Sequence, residues 1–302
     1  MIKIAHSDLY NHPLPEGHRF PMLKYDLIPE QLLHNGEISR DQLFVPQDVD
    51  GEILTLTHTA EYLEKLKKGN VSRHEERRFG FPWSERLLAR EINICSGTLQ
   101  CGQFALKHGA ALNVAGGTHH AFADRGEGFC ILNDIAIATN YLLKTGQVKS
   151  VLCVDLDVHQ GNGTASIFAG NSQVFTFSMH GANNFPFSKE QSDADVALPD
   201  GFDETSYLET LNFYLDEVWD IAMPDIVFFQ SGVDILECDK LGKLKISVEG
   251  IRERDKMVFQ KSSKAGVPVV AVMGGGYSEN LSKIVEAHCN TFKIAIDCYQ
   301  KV

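Results

Sequence analysis

Short apolar runs alternate with longer stretches of helical periodicity along this chain. Of residues 2–5, 111–115, 150–154, 173–178, 225–230 and 267–273, all but 173–178 are apolar at most positions. A strand covered on both faces has that pattern, whereas one with a wet face alternates. Between these runs, 84–107, 134–145, 204–219, 248–265 and 279–299 read as helices. Ser84 and Ser247 stand at N-cap positions, each with an acid in the turn that follows. Alternating strands and helices predict an α/β fold, a doubly wound parallel sheet flanked by helices. No repeat, low-complexity stretch or linker interrupts the pattern, so one domain over 1–302 is expected. Segments 11–21, 69–83 and 181–203 contain Gly, Pro and Asn and read as long loops, a kind that usually serves a site.

Polar or glycine-rich motifs follow four of the strand candidates. Gly116-Gly117-Thr118-His119-His120 follows the first, Asp155 to Asn162 the second, Ser231-Gly232-Val233-Asp234 the third and Gly274-Gly275-Gly276-Tyr277 the last. Sites in open α/β sheets gather at the carboxyl ends of strands, so the four motifs are expected to converge. Asp155, Asp157 and His159 lie two residues apart, which sends their side chains to one side of an extended segment. Unpaired charges there would be costly, and a bound metal explains them. An acidic loop after a strand is the plainer reading of this run alone.

Asp157, His159 and Asp234 are the candidate metal ligands. Three protein ligands leave a position open for water or substrate, the arrangement of a catalytic zinc site. Two carboxylates harden the site, so ferrous iron or cobalt could compete with zinc. Asp155 is either a further ligand or, preferably, the carboxylate that orients a histidine. His119 and His120 could supply a general base and an electrostatic partner or acid. Tyr277, on a close-approaching glycine loop, could donate to a developing oxyanion. A triple glycine also suits a phosphate cradle, but neither Gly-x-Gly-x-x-Gly nor Gly-Lys-Ser/Thr accompanies it. Together these parts describe metal-assisted hydrolysis of an amide.

Composition narrows the classes. The 302 residues are 43% hydrophobic and 23% charged, as in a soluble protein with a large core. A net charge of -12 argues against direct nucleic-acid binding. The seven cysteines include no Cys-x-x-Cys and read as reduced thiols. The amino terminus does not resemble a signal peptide, and no apolar stretch is of membrane-spanning length. A cytoplasmic protein without membrane contact is expected; the oligomeric state is not legible.

The segments GGTHHAFADRGEGFCILND and VDLDVHQGNGT, with HPLPEGHRFP at His12 to Pro21 and Thr57-His58 to Tyr62, resemble the zinc-dependent histone deacetylase family. That family includes acetylpolyamine amidohydrolases and acetoin-utilisation proteins. RFGFPWS and the His-Gln-Gly-Asn-Gly form look most like class IV members and their bacterial relatives. The resemblance implies the arginase/deacetylase fold in a single catalytic domain. It implies Asp157, His159 and Asp234 as zinc ligands, His120 as general base, Asp155 as the partner of His119, and Tyr277 as the residue polarising the carbonyl. It implies a substrate tunnel at Gly128, Phe129, Phe185 and Gly275. A structural potassium ion is implied near Asp155, Asp157, His159 and Ser178.

Three departures accompany it. Asn162 stands where many members have the aspartate paired with the second histidine, Thr118 replaces a third glycine, and no acidic rim residue that would hold a peptide backbone is placed. The implied substrate is an acyl-lysine protein or peptide, with acetyl or a longer acyl group, or alternatively a small acylated amine such as an acetylpolyamine. Arginase-like chemistry needs a second metal and more aspartates than the one after 225–230. A non-catalytic acyl-lysine reader finds support only in Asn162. Of the other histidines, His34, His74, His108 and His288 are expected at the surface, while His12, His18 and Arg19 are candidates for the pocket mouth. The mixed charges of 73–78 read as a solvated loop.

Overall fold

The computed structural model describes residues 1–299; the end of the expected domain, 300–302, lies outside them. The strands β1 (Lys3–Ala5), β2 (Leu43–Phe44), β3 (Ala110–Asn113), β4 (Val151–Asp155), β5 (Val174–Gly181), β6 (Ala194–Leu198), β7 (Ile226–Gln230) and β8 (Val269–Val272) form one sheet. Its order is β2-β1-β3-β8-β7-β4-β5-β6, and every neighbouring pair is parallel. All residues of β3, β4, β7 and β8 are buried, as the continuous apolar runs require.

The helices are α1 (Lys24–His34), α2 (Gly51–Leu54), α3 (Ala60–Lys67), α4 (Arg73–Phe79), α5 (Glu85–His108), α6 (Asp134–Lys144), α7 (Asn162–Phe168), α8 (Glu204–Ala222), α9 (Val248–Ala265) and α10 (Leu281–Tyr299). From β3 the chain steps through β4 and β5 to β6 at one edge, then returns through β7 to β8. Right-handed crossovers put the helices of outward and returning steps on opposite faces. Accordingly α5, α6 and α7 pack in one row, and α8, α9 and α10 in another.

Ser84 and Ser247 cap α5 and α9, their hydroxyls each accepting at 3.0 Å from Leu87 N and Gly250 N. Two expected loops contain regular structure. Within 69–83, Ser72 and Glu75 close a capping box that starts α4, so local hydrogen bonding overrides the charge pattern. Within 181–203 lies β6, an edge strand whose burial alternates and which lacks a continuous apolar run. Segment 11–21 holds no helix or strand. Helix α1 carries Pro29 in its interior, and β2 has two residues, so neither shows a clear pattern. His288 is fully buried on α10, contrary to its expected surface position, because α10 turns that face inward.

Candidate active site

The four strands that precede the polar motifs, β3, β8, β7 and β4, are contiguous at the centre of the sheet. Residues distant in sequence therefore meet at adjoining carboxyl ends. Asp157, His159 and Asp234 are buried there, and their ligand atoms lie within 4.8 Å of one another. His159 Nδ1 is 3.0 Å from both Asp157 Oδ1 and Asp234 Oδ2. The outer oxygens are held by the backbone: Gly275 N–H donates to Asp157 Oδ2 at 2.8 Å, and Val158 N–H to Asp234 Oδ1 at 2.9 Å. Asp157 Oδ1, which faces the shared centre, also accepts from His159 N–H at 3.0 Å. A Cβ on Gly275 would lie 1.9 Å from Asp234 Oδ2, so only glycine fits.

Burial and the neighbouring Asp157 push Asp234 up to about 7. Burial would raise Asp157 too, but the charges of His119 and His159 hold it well below the usual carboxylate range. Burial opposes charge on His159, yet hydrogen bonds to Asp157 and Asp234 raise it to about 10. Two buried carboxylates crowded against one imidazole are a donor set suited to a divalent cation, and that set fits zinc, ferrous iron or cobalt.

His119 and His120 follow the β3 motif with ring centroids 4.1 Å apart. His119 Nδ1 lies 2.6 Å from Asp155 Oδ2, and His120 Nδ1 lies 2.7 Å from Asn162 Oδ1. Burial disfavours charge on His119, but Asp155 and Asp157 outweigh it and raise its pKa to about 9. Burial and the positive charges of His119 and His159 drive His120 well below the ordinary range, and Asn162 offsets little. The two rings are therefore shifted in opposite directions, the carboxylate-paired one toward the charged form and the amide-paired one toward the neutral form.

Phe129 and Phe185 line a cavity of about 460 Å³ that descends to His120, His159 and Tyr277. Phe185 meets the His120 ring edge to face at 5.0 Å. Gly128 has φ +54°, and a Cβ there would come within 2.6 Å of His120 Cδ2. Past the histidines lies a second cavity of about 30 Å³, lined by Tyr25, Arg90, Ile94, Cys130 and Gly275 among others. Ser178 lies opposite Asp155 in the β4–β5 register, its Oγ 3.0 Å from His180 Nδ1. Arg19 lines the outer mouth. His18 packs behind it, stacked on Phe81 with Nε2 2.9 Å from Gly80 O. His12 is buried and lines neither cavity.

Sequence reasoning misses the residues that hold the motifs in place. Asp134, buried at the start of α6, accepts from Gly117 N, Thr118 N, Thr118 Oγ1 and Thr98 Oγ1. That role gives Thr118 its purpose. Arg254, fully buried and paired with Asp255 at 2.7 Å, donates to Gly232 O and Ser231 O just before Asp234. Asp239 accepts from Tyr277 N at 2.6 Å, and Lys24 Nζ donates to Gly274 O at 2.9 Å. A charged pair within an amphipathic helix, as at Arg254-Asp255, is the one sequence signal for any of these.

The histone deacetylase domain matches residues 18–292. This chain belongs to the histone deacetylase family. Members similar to it include an uncharacterized protein of Picosynechococcus sp., 44% identical over 296 residues with 98% of each chain covered. The acetoin utilization protein AcuC of Staphylococcus aureus is 30% identical over 318 residues, covering 97% of this chain and 81% of that one. Histone deacetylase 2 of Arabidopsis thaliana is 28% identical over 277 residues, with 89% and 72% covered. A solved histone deacetylase homolog from Aquifex aeolicus shares the fold at TM-score 0.84 and 23% identity, over all of this chain and 84% of that one. This family member is thus a deacetylase-type hydrolase by descent, and none of its described helices is long and apolar enough to cross a membrane.

Proposed function

We propose that the whole chain is one catalytic domain that removes an acyl group, acetyl foremost, from the side-chain amine of lysine. The observation that carries this is the buried Asp157–His159–Asp234 cluster beneath an aromatic tunnel, flanked by two histidines, one paired with Asp155 and the other with Asn162. Zinc, or ferrous iron or cobalt, held by these three residues would polarise the amide carbonyl and make water a stronger nucleophile.

The chain's own groups do the rest. Asn162 Oδ1 accepts from His120 Nδ1–H, which leaves Nε2 unprotonated and able to take the proton of the attacking water. His119, kept charged by Asp155, stabilises the negative charge that develops. The Tyr277 hydroxyl donates to the carbonyl oxygen as it gains charge. One histidine of the pair returns the proton to the leaving nitrogen. Phe129 and Phe185 grip the lysine methylenes and exclude water. Asp155, Asp157 and His159, at and just past the end of β4, and Ser178, opposite Asp155 in β5, are all buried and would hold a structural potassium ion. The inner cavity of about 30 Å³ suits a short acyl chain, since a longer one would displace Tyr25 and Ile94.

The test is hydrolysis of lysine peptides carrying acyl chains from acetyl to long fatty acyl, by zinc-loaded protein with a chelated control. Metal-dependent release that is fastest for acetyl is the expected result. Absence of release from every peptide would overturn the reading.

A further inference from the structure

The outer mouth of the tunnel is ringed by cations. Arg19, Arg77, Arg78 and Lys243 line it, and no Asp or Glu does among the described residues. This runs against a chain whose net charge is -12. Arg19, Arg77 and Arg78 take part in no salt bridge among the described residues. The Nε of Arg78 is buried without a hydrogen-bond partner. Lys243 alone has a nearby carboxylate, Asp200 at 3.6 Å, with both ends exposed. The acids of α4 are engaged elsewhere: Glu75 binds Lys65 and caps Ser72, and Glu76 accepts from Trp83 N at 2.8 Å.

These cations are held at the tunnel wall. The guanidinium of Arg19 sits 4.9 Å from the Phe129 ring centroid. Gly128 N–H donates to Arg78 O at 3.1 Å, which fixes the last turn of α4 to the same wall. Like charges gathered around a concave opening repel one another, and an anion relieves that repulsion while pairing with the guanidinium forks.

The acyl carbonyl must reach the floor, so the collar meets whatever is attached to the amine side. We propose that the mouth selects acylated amines bearing carboxylates beside the scissile amide, foremost an acyl-lysine flanked by acidic residues, and disfavours acetylated polyamines. This rests on the deacylase reading above.

The test compares kcat/KM for acetyl-lysine peptides flanked by acidic, neutral or basic residues, for free Nε-acetyl-lysine, and for an acetylated diamine. The acid-flanked peptide should exceed the neutral one by about tenfold at low salt and lose that lead as salt screens the collar. The basic peptide and the diamine should be slowest. A double variant, Arg19→Glu with Arg77→Glu, changes two exposed side chains and should lower the acid-to-neutral ratio while raising the basic-to-neutral one. If free Nε-acetyl-lysine outpaces the acidic peptide, the carboxylate recognised is that of a small molecule and the collar's role stands. A wild-type ratio near one, or one unmoved by the double variant, overturns this inference and leaves the deacylase reading intact. No turnover of any substrate overturns both.

Discussion

The Nδ1 of His120 lies 2.7 Å from the amide oxygen of Asn162, while the adjacent His119 has a carboxylate, Asp155, at 2.6 Å. A neutral partner fixes the tautomer of His120 without raising its basicity as a carboxylate would. Asn162→Asp should therefore raise the pKa of His120 and move the acid limb of the kcat/KM–pH profile upward by about one unit. Asn162→Ala should leave the ring unoriented and lower kcat by roughly 10- to 100-fold. The pH–rate profile of each variant checks this.

Tyr277→Phe removes one hydroxyl from a side chain whose backbone is held by Asp239. Loss of a single oxyanion donor should lower kcat by about 100- to 1,000-fold with little change in KM. Zinc stoichiometry, measured on the same preparation, should match wild type; a parallel loss of metal would assign Tyr277 a structural part instead.

Gly275→Ala places a methyl 1.9 Å from Asp234 Oδ2 and disturbs the N–H that holds Asp157. Metal content and activity should be lost together, a result that elemental analysis and a thermal melt of the purified variant would show.

Metal removal should weaken the fold and do so in a pH-dependent way. Without metal, His159 titrates at about 10 and so carries a proton at neutral pH. A metal ligand must shed that proton, and Asp234, at about 7, sheds another below neutrality, so zinc affinity should rise about tenfold per pH unit above pH 7 and more steeply below it. Competition titrations at three pH values test the slope, and a flat response would remove His159 from the ligand set.

His58 predicts acid lability from a different place. It is buried, and its Nε2 accepts from Asn133 N–H at 2.9 Å just before α6. Burial lowers its pKa from 6.5 to about 4. The unfolded chain binds the proton more readily, so this stability is full above pH 6.5 and is lost as pH drops from 6.5 to about 4, on the order of 3 kcal/mol in all. His58→Gln should flatten that part of the urea-midpoint-versus-pH curve.

The central strands are legible because covered parallel strands need continuous apolar runs, as in 225–230 and 150–154. The site motifs are legible for a related reason: Asp157, His159 and Tyr277 are costly at strand ends unless they perform chemistry. What escapes the sequence is support at a distance. Asp134 holds the His119 loop and Arg254 the Asp234 loop through backbone atoms that any residue offers, so no residue type marks the partner. The edge strand β6 and helix α4 escape because their patterns are set by exposure and capping rather than by a hydrophobic period.

β8, the last strand in chain order, sits between β3 and β7 and not at an edge. As the chain is synthesised, the middle of the sheet must stay open while seven other strands emerge. The halves β2-β1-β3 and β7-β4-β5-β6 can each pair internally, but only β8 joins them. Asp157, His159 and Asp234 all belong to one half, whereas the histidine pair belongs to the other and Tyr277 arrives with the joining strand. A nascent chain could thus gather the candidate ligand triad before the joining strand brings Gly275 and Tyr277. Topology thus makes the joining strand the step that completes the site.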